Sequence, residues 1–435
     1  MNRMKKILFL NCLFSLSFYS CALRDYLAPK GTLDSEKTFY GQMISEGKTY
    51  GWFNVPAKLI KTTDHLAIYI QTKFESDYKG EKDISLYGLN KMAQDFDYYY
   101  DSMTNIYGEH TDIDANGKII ILLMKINKKT DKGSQVLGYF NPNDMHGYNN
   151  GEILYMDLES ANNNTDKLIG TLIHEFQHLI NYSYVASGKR RAMSSWLNES
   201  LSESTSILFN KTTAKSRIDE FNGINYYCFY TWEIPINISN NGKNNSLVNY
   251  PSASVFMHWL YNTNGKNSDI FKKIAQSTQN TDYNKVLYAA KEISGLNSIS
   301  NWADLLLTWM NDIVSNGLTP SWITDNSTNE NATNNLSSSG NVKLFPGAMI
   351  VVNSFSNSTD SNIVTRTNGN NGSQKIIVLN KDTTLGTYTS SKTVSVNSSV
   401  DLSSESGTKQ DIIENKEETQ IINILLDENG NIQKY

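Results

Sequence analysis

The sequence predicts an α+β protein in three successive zones, and the order of its hydrophobic periodicities carries that prediction. Strand-like runs open the chain and helical spacing dominates from 166 to about 316. Short apolar runs separated by Asn, Gly and Ser turns then close it. At 435 residues, 39% of them hydrophobic, the chain has ample material for a buried core and for two or three domains.

Residues 1–21 read as an export signal. Arg3, Lys5 and Lys6 precede an apolar run from Ile7 to Tyr19, which is too short for a comfortable membrane span. Cys21 at its end predicts a bacterial lipoprotein, acylated on the thiol after cleavage behind Ser20. A competing reading takes Ser20 and Ala22 as a small-x-small cleavage site and gives a freely secreted protein. Either places the chain outside the cytoplasm, and the first tethers it to a membrane. Of the other cysteines, Cys12 lies in the leader and Cys228, among Tyr226, Tyr227, Phe229 and Tyr230, reads as a buried structural thiol. A disulfide framework and a cysteine nucleophile are both excluded.

Residues 22–40 read as a tether, 41–320 as the main domain, 321–341 as an Asn/Ser-rich linker and 342–435 as an all-β accessory domain. In the main domain, Tyr50–Phe53 and His65–Ile70 read as strands. Leu86, Leu89, Met92, Ala93, Phe96 and Tyr100 recur at helical spacing across 85–107, and Gly108 ends that helix. Asp112-Ile113-Asp114-Ala115-Asn116-Gly117 copies the first half of a calcium loop and leads into the strand Ile119–Met124. Its twelfth position is Leu123, however, and a tight Asn-Gly turn explains the same residues. Calcium on Asp112, Asp114 and Asn116 is therefore the weaker expectation. A Gly/Asn-rich loop spans 133–150, and Glu152–Asp157 reads as a strand, either a sheet edge able to pair with a peptide or an ordinary internal strand. Helices follow at 196–210, 252–261, 270–276, 285–292 and 302–314. Met349–Val352, Lys375–Leu379 and Ile421–Leu426 are strand-like.

The chemistry concentrates at His174-Glu175-Phe176-Gln177-His178, set in the apolar helix of Leu168–Ile173 and Leu179-Ile180. Residues four apart share one helix face, so His174 and His178 can grip one ion while Glu175 stands beside it as a base. A hydrolytic zinc site takes three protein ligands and keeps one position open. The metzincin pattern needs Gly at 181 and His at 184, where this chain has Asn181 and Tyr184, so that class is excluded. The better third ligand is Glu199 in Trp196-Leu197-Asn198-Glu199-Ser200-Leu201-Ser202-Glu203. Glu203, one turn on, can hydrogen-bond the far nitrogen of a ligand His.

The pair HEFQH…WLNESLSE resembles the gluzincin metallopeptidases, whose zinc is held by two His and the Glu of an N-E-x-x-S/A-E/D helix. The separation of His178 and Glu199 is similar to that of thermolysin-like enzymes. More narrowly, DIDANGKI (112–119), GYF (138–140), EILYMD (152–157) and HEFQH, in that order, resemble the hyicolysin family of secreted bacterial metallopeptidases over roughly 60–315. The resemblance implies a thermolysin-like catalytic domain, with an N-terminal mixed β-sheet subdomain and a helical C-terminal subdomain. It also implies one Zn2+ per chain and hydrolysis of peptide bonds in proteins or peptides, with Glu175 as general base. The oxyanion donor it implies is Tyr250, in a Y-x-x-x-x-x-F run ending at Phe256, with His258 as the second candidate.

Three readings lie outside this one. A surface-binding lipoprotein would keep the peptidase scaffold and bind through the β region, but degenerate enzymes lose the base or a ligand first and all four groups are present. An aminopeptidase would need a site for a free amino terminus, and none is recognisable. Nucleic acid is excluded as a partner by a formal net charge of −5 and the absence of basic blocks. His65, His110 and His146 have no partner pattern and read as structural.

Overall fold

In the computed structural model, residues 31–45, 48–76, 78–127, 136–222, 226–228, 246–315, 340–356, 358–368, 375–383 and 392–396 are described. The leader with Cys21, the linker 321–339 and the run Ile421–Leu426 lie outside the described residues.

Unbroken apolar runs make the centre of a sheet, because only a strand covered on both faces gains from them. The run Ile119–Met124 is such a strand, β4, with all six residues buried. Before it come β1 (Glu36–Ser45), β2 (Lys48–Thr62) and β3 (Leu66–Gln71). After it come β5 (Gly138–Phe140) and β6 (Ile153–Asp157). The order in the sheet is β1-β2-β3-β4-β6-β5. β3, β4 and β6 are parallel, while the β1–β2, β2–β3 and β5–β6 pairs are antiparallel. Thus β6 is the internal strand of the two alternatives, and the edge is β5, which the sequence reading left inside a loop. The first strand also begins within the stretch read as a tether.

Alternate residues divide the sheet between two cores. Leu66, Ile68, Ile70, Ile119, Ile121, Leu123, Leu154 and Met156 face the helices. Ala67, Tyr69, Ile120, Leu122, Met124, Ile153 and Tyr155 pack with Phe39, Ile44 and Val55 of the β1–β2 hairpin. The hairpin reaches that face because the sheet curls. Register shifts at Gln42/Met43 and Leu59/Lys61 are bulges of the kind that coil a strand, and Ile44 N–H ends 2.8 Å from the Ile126 carbonyl.

The helical face begins with α1 (Leu86–Tyr107), which links β3 to the parallel β4. Ser85 caps it through its hydroxyl on Gly88 N–H, and Gly108 ends it at φ 111°, where a side chain would be strained. The short α2 (Leu158–Asn163) leads into α3 (Thr165–Ala186), and α3 is followed by α4 (Ser195–Phe209) and α5 (Lys211–Asn222). Then come α6 (Ser246–Thr263), α7 (Asp269–Ala275), α8 (Asp282–Lys291) and α9 (Trp302–Ser315). Helix α6 begins before Pro251 and runs through it, so it is longer than the stretch read from the sequence. No helix among the described residues is long and apolar enough to cross a membrane.

The C-terminal strands are tied to this body. A two-residue strand, β7 (Tyr226–Tyr227), pairs with β9 (Met349–Val352) and completes a sheet of order β10-β11-β9-β7 with β10 (Ile363–Asn368) and β11 (Lys375–Asn380). A separate pair joins β8 (Gly340–Leu344) to β12 (Lys392–Val396). Arg366 on β10 binds Asp304 of α9 at 2.6 Å, and Met349–Val352 belong to the same core as α9. Cys228 is buried, with Sγ 3.9 Å from the Pro346 carbonyl.

Candidate metal centre

Helix α3 is held by packing. Sixteen of its 22 residues are buried, and Phe176 packs against Phe96 and Tyr100 of α1 at ring-centroid distances of 4.9 and 5.7 Å. This fixes the rotation of the helix and turns His174 and His178 toward α4. Helix α4 is the opposite case, with Glu199, Ser200, Ser202, Glu203, Ser204, Thr205 and Ser206 all buried. Its small hydroxyl side chains let it lie close to α3, and Glu199 enters from that face.

The structure brings His174, His178 and Glu199 together. The two Nε2 atoms are 3.1 Å apart, and Glu199 Oε2 is 3.2 Å from His174 Nε2 and 3.6 Å from His178 Nε2. A tetrahedral zinc with bonds of about 2.0–2.2 Å to N and O has ligand edges of about 3.3–3.6 Å. The triangle therefore has the dimensions of one face of that tetrahedron. Neither Glu199 oxygen has an aligned hydrogen-bond donor although the side chain is fully buried. A carboxylate in that state is costly unless a cation meets it. Two nitrogens and one carboxylate oxygen are a donor set that zinc accepts, so the residues fit the ion.

With no cation, charge settles on the same atoms. Burial opposes a charge on His178, but the Glu199 carboxylate overrides it and holds the imidazole well above its usual range. Burial likewise disfavours ionised Glu199, and His178 beside it keeps its carboxyl below the usual range. The cluster thus prefers cationic company.

Glu175 is 1% exposed, and its Oε2 accepts a hydrogen bond from Phe140 N–H on the edge strand β5 at 3.0 Å. Its Oε1 is buried without a partner. Burial raises its pKa, against the pull of the two imidazoles. Glu203 Oε1 lies 3.6 Å from His174 Nδ1. Arg217 of α5 holds Glu203 from behind with Nε at 2.9 Å and Nη2 at 3.2 Å. Tyr250 is buried on α6 with its ring 4.7 Å from the Arg217 guanidinium carbon. His258 is half-buried on the same helix.

Three groups at the site escaped the sequence reading. Arg217 closes Glu203, while Ser202 Oγ is 3.0 Å from His178 Nδ1 and also bonds Gln177 Oε1. A Ser three residues after the presumed ligand, on the face of Glu199 and Glu203, was the one available signal. The other histidines pack: His65 stacks on Tyr100, His110 Nε2 meets the Tyr100 hydroxyl at 2.7 Å, and His146 sits edge-on to Tyr182.

A second cluster joins Asp112, Asp114 and Glu152. Here each carboxylate already accepts at least one hydrogen bond. Asp112 Oδ1 accepts from Gly117 N–H, Asp114 from the backbone and side chain of Asn116, and Glu152 from Thr111 and Ile113. Burial nevertheless raises the Asp114 pKa to about 6. These bonds are those of a turn, as the Asn-Gly reading expects.

No protein-family model matches the chain. It is similar to the neutral metalloprotease ShpI of Staphylococcus hyicus, at 28% identity over 207 residues, which is 44% of this chain and 45% of the relative. The chain thus spans less than half the length of that relative, and the likeness is to a metalloprotease over part of the chain.

Proposed function

We propose that the chain is an exported zinc metalloendopeptidase with a thermolysin-like, gluzincin catalytic layout of the hyicolysin kind. The observation that carries the proposal is the His174–His178–Glu199 triangle, with zinc-sized edges and orphaned carboxylate oxygens, beside a buried Glu175. Zinc held by these three residues would supply Lewis acidity, lowering the pKa of water toward neutrality and polarising a carbonyl.

This chain's residues do the rest. Glu175, steadied through Oε2 by Phe140 N–H, has Oε1 free to take a proton from the attacking water and pass it to the leaving amine. Glu203, paired with Arg217, stands 3.6 Å from His174 Nδ1 and favours the ring orientation that turns the other nitrogen inward. Tyr250 is the oxyanion donor that the family resemblance implies. In that role Tyr250→Phe lowers kcat by about 10²–10³ with zinc content unchanged. Export and lipidation of Cys21 belong to the same proposal and rest on the sequence alone.

The central experiment measures bound zinc and casein hydrolysis for the wild type and Glu175→Ala. We expect close to one zinc per chain in both, with activity lower by at least about 10² in the variant. Equal activity in the two proteins, or a wild type that holds no zinc, would sink the proposal.

A further inference from the structure

We propose that Gln177 and Ser202 form a positioning pair that fixes the tautomer of His178, so that its Nε2 lone pair is the one turned to the metal. The inference rests on the metal-site reading above and gives Gln177, and Ser202 at the S/A place of N-E-x-x-S/A-E/D, a role that the resemblance did not assign.

The observation is a difference among the hydroxyls of α4. Ser200, Ser204, Thr205 and Ser206 each return a hydrogen bond to their own helix, to the carbonyls of Trp196, Leu201, Ser202 and Glu203, at 2.6–2.8 Å. This is how buried helical hydroxyls are ordinarily satisfied. Ser204 also meets the Tyr107 hydroxyl of α1 at 2.7 Å, but Ser202 alone among these five makes no bond back to its own helix. Its Oγ spans to α3, where it meets Gln177 Oε1 and lies 3.0 Å from His178 Nδ1. Ser202 is 0% exposed and Gln177 1%, so water does not compete for these bonds.

Direction follows from which atoms can donate. A carbonyl oxygen only accepts, so the Ser202 proton goes to Gln177 Oε1. The hydroxyl then offers His178 a lone pair, and Nδ1 must be the donor. An imidazole with its proton on Nδ1 carries its lone pair on Nε2, the atom 3.1 Å from His174 Nε2 and 3.6 Å from Glu199 Oε2. Without the acceptor at 177 the hydroxyl can rotate and donate to Nδ1, which drives the imidazole proton onto Nε2, among the ligand atoms. Gln177 occupies one of the two unspecified places of H-E-x-x-H, yet its side chain points to the helix that brings the third ligand. Positions 198, 199, 202 and 203 of α4 then act together: Glu199 as the ligand, Asn198 and Ser202 on His178, and Glu203 behind His174.

The test uses the full chain, stripped of metal, with zinc affinity read by competition against a chromogenic chelator. Ser202→Ala is expected to weaken zinc about 10–100-fold, and Gln177→Leu about tenfold. The double variant should be no weaker than Ser202→Ala, because Gln177 acts only through the hydroxyl. Ser202→Thr, which keeps the hydroxyl, should stay within a few-fold of wild type. In zinc-loaded, 15N-histidine-labelled protein, the slowly exchanging His178 Nδ1–H should become fast in Ser202→Ala. Wild-type affinity in Ser202→Ala, or losses that add in the double variant, overturns the pair while the metal site stands. A wild type that takes up no zinc overturns the metal-site reading and this inference with it.

Discussion

Two clusters among the described residues have the ligand types to hold a cation, and they differ in what the rest of the protein does for them. His174, His178 and Glu199 are buried, their inner atoms converge, and both oxygens of Glu199 lack a donor. Asp112, Asp114 and Glu152 run from exposed to buried, and each already accepts hydrogen bonds from backbone N–H groups or neighbouring side chains. A fully buried carboxylate without an aligned donor is far costlier than a buried amide or hydroxyl oxygen in that state, unless a cation meets it. Proximity of acidic and imidazole groups is common, whereas proximity combined with unmet acceptors is the property of an ion site. The outer layers repeat the contrast. Arg217, bidentate and buried, backs the first cluster, while half-buried Lys118 near the second donates to the carbonyls of Thr63 and Asp64.

The largest effect should separate the clusters outright. Glu199→Ala is expected to lose zinc and casein hydrolysis to background, and Asp112→Ala to keep both, as read by metal analysis and a turnover assay. Loss of zinc in Asp112→Ala would break the comparison. A smaller effect concerns the outer layers. Arg217→Met strands the Glu203 carboxylate in the core and is expected to lower unfolding free energy by about 3–5 kcal/mol in urea denaturation. Lys118→Met, at a half-buried site, should change it by less than about 1 kcal/mol.

The smallest effect is a pH slope. The native Asp114 pKa of about 6 lies above that of an unfolded aspartate. The native chain therefore keeps a proton that the unfolded chain releases. The stabilisation is complete below about pH 4 and is lost as pH rises through about 6. For a partly exposed group this amounts to about 1 kcal/mol or less. The stability difference between wild type and Asp114→Asn should change by that amount between pH 4 and 7. Millimolar calcium should leave the melting temperature of the wild type unmoved. A calcium-dependent rise would make the second cluster an ion site and erase the contrast.

How much of this was legible in the sequence depends on how far each signal travels along the chain. Helix α1 was readable end to end because its apolar spacing and the Gly108 that ends it are local to the helix itself. His174, Glu175 and His178 were readable as a group because one helical turn sets their relation. Glu199 needed an added premise, that zinc takes a third ligand. Ser202, Gln177 and Arg217 acquire their roles from the docking of α3, α4 and α5, which no local spacing encodes. β5, with three residues in a Gly/Asn-rich stretch, is too short for alternation to show. β7 has only two residues, and for that reason the C-terminal strands read as a domain apart when they complete a sheet begun at Tyr226.

The hydroxyls of α4 also bear on the order of assembly. A segment of Ser, Thr, Asn and Trp is a weak helix former, and side chains that hydrogen-bond backbone compete with the helix until it is packed. Helix α3, largely buried, can collapse early against α1 and β6. The nascent chain then carries a two-histidine half-site before its third ligand exists. Two neutral imidazoles hold zinc loosely, so ions caught early can leave again. Firm retention waits for α4 to dock. On the proposed zinc site, zinc retained through dialysis would count the chains in which α3 and α4 have met.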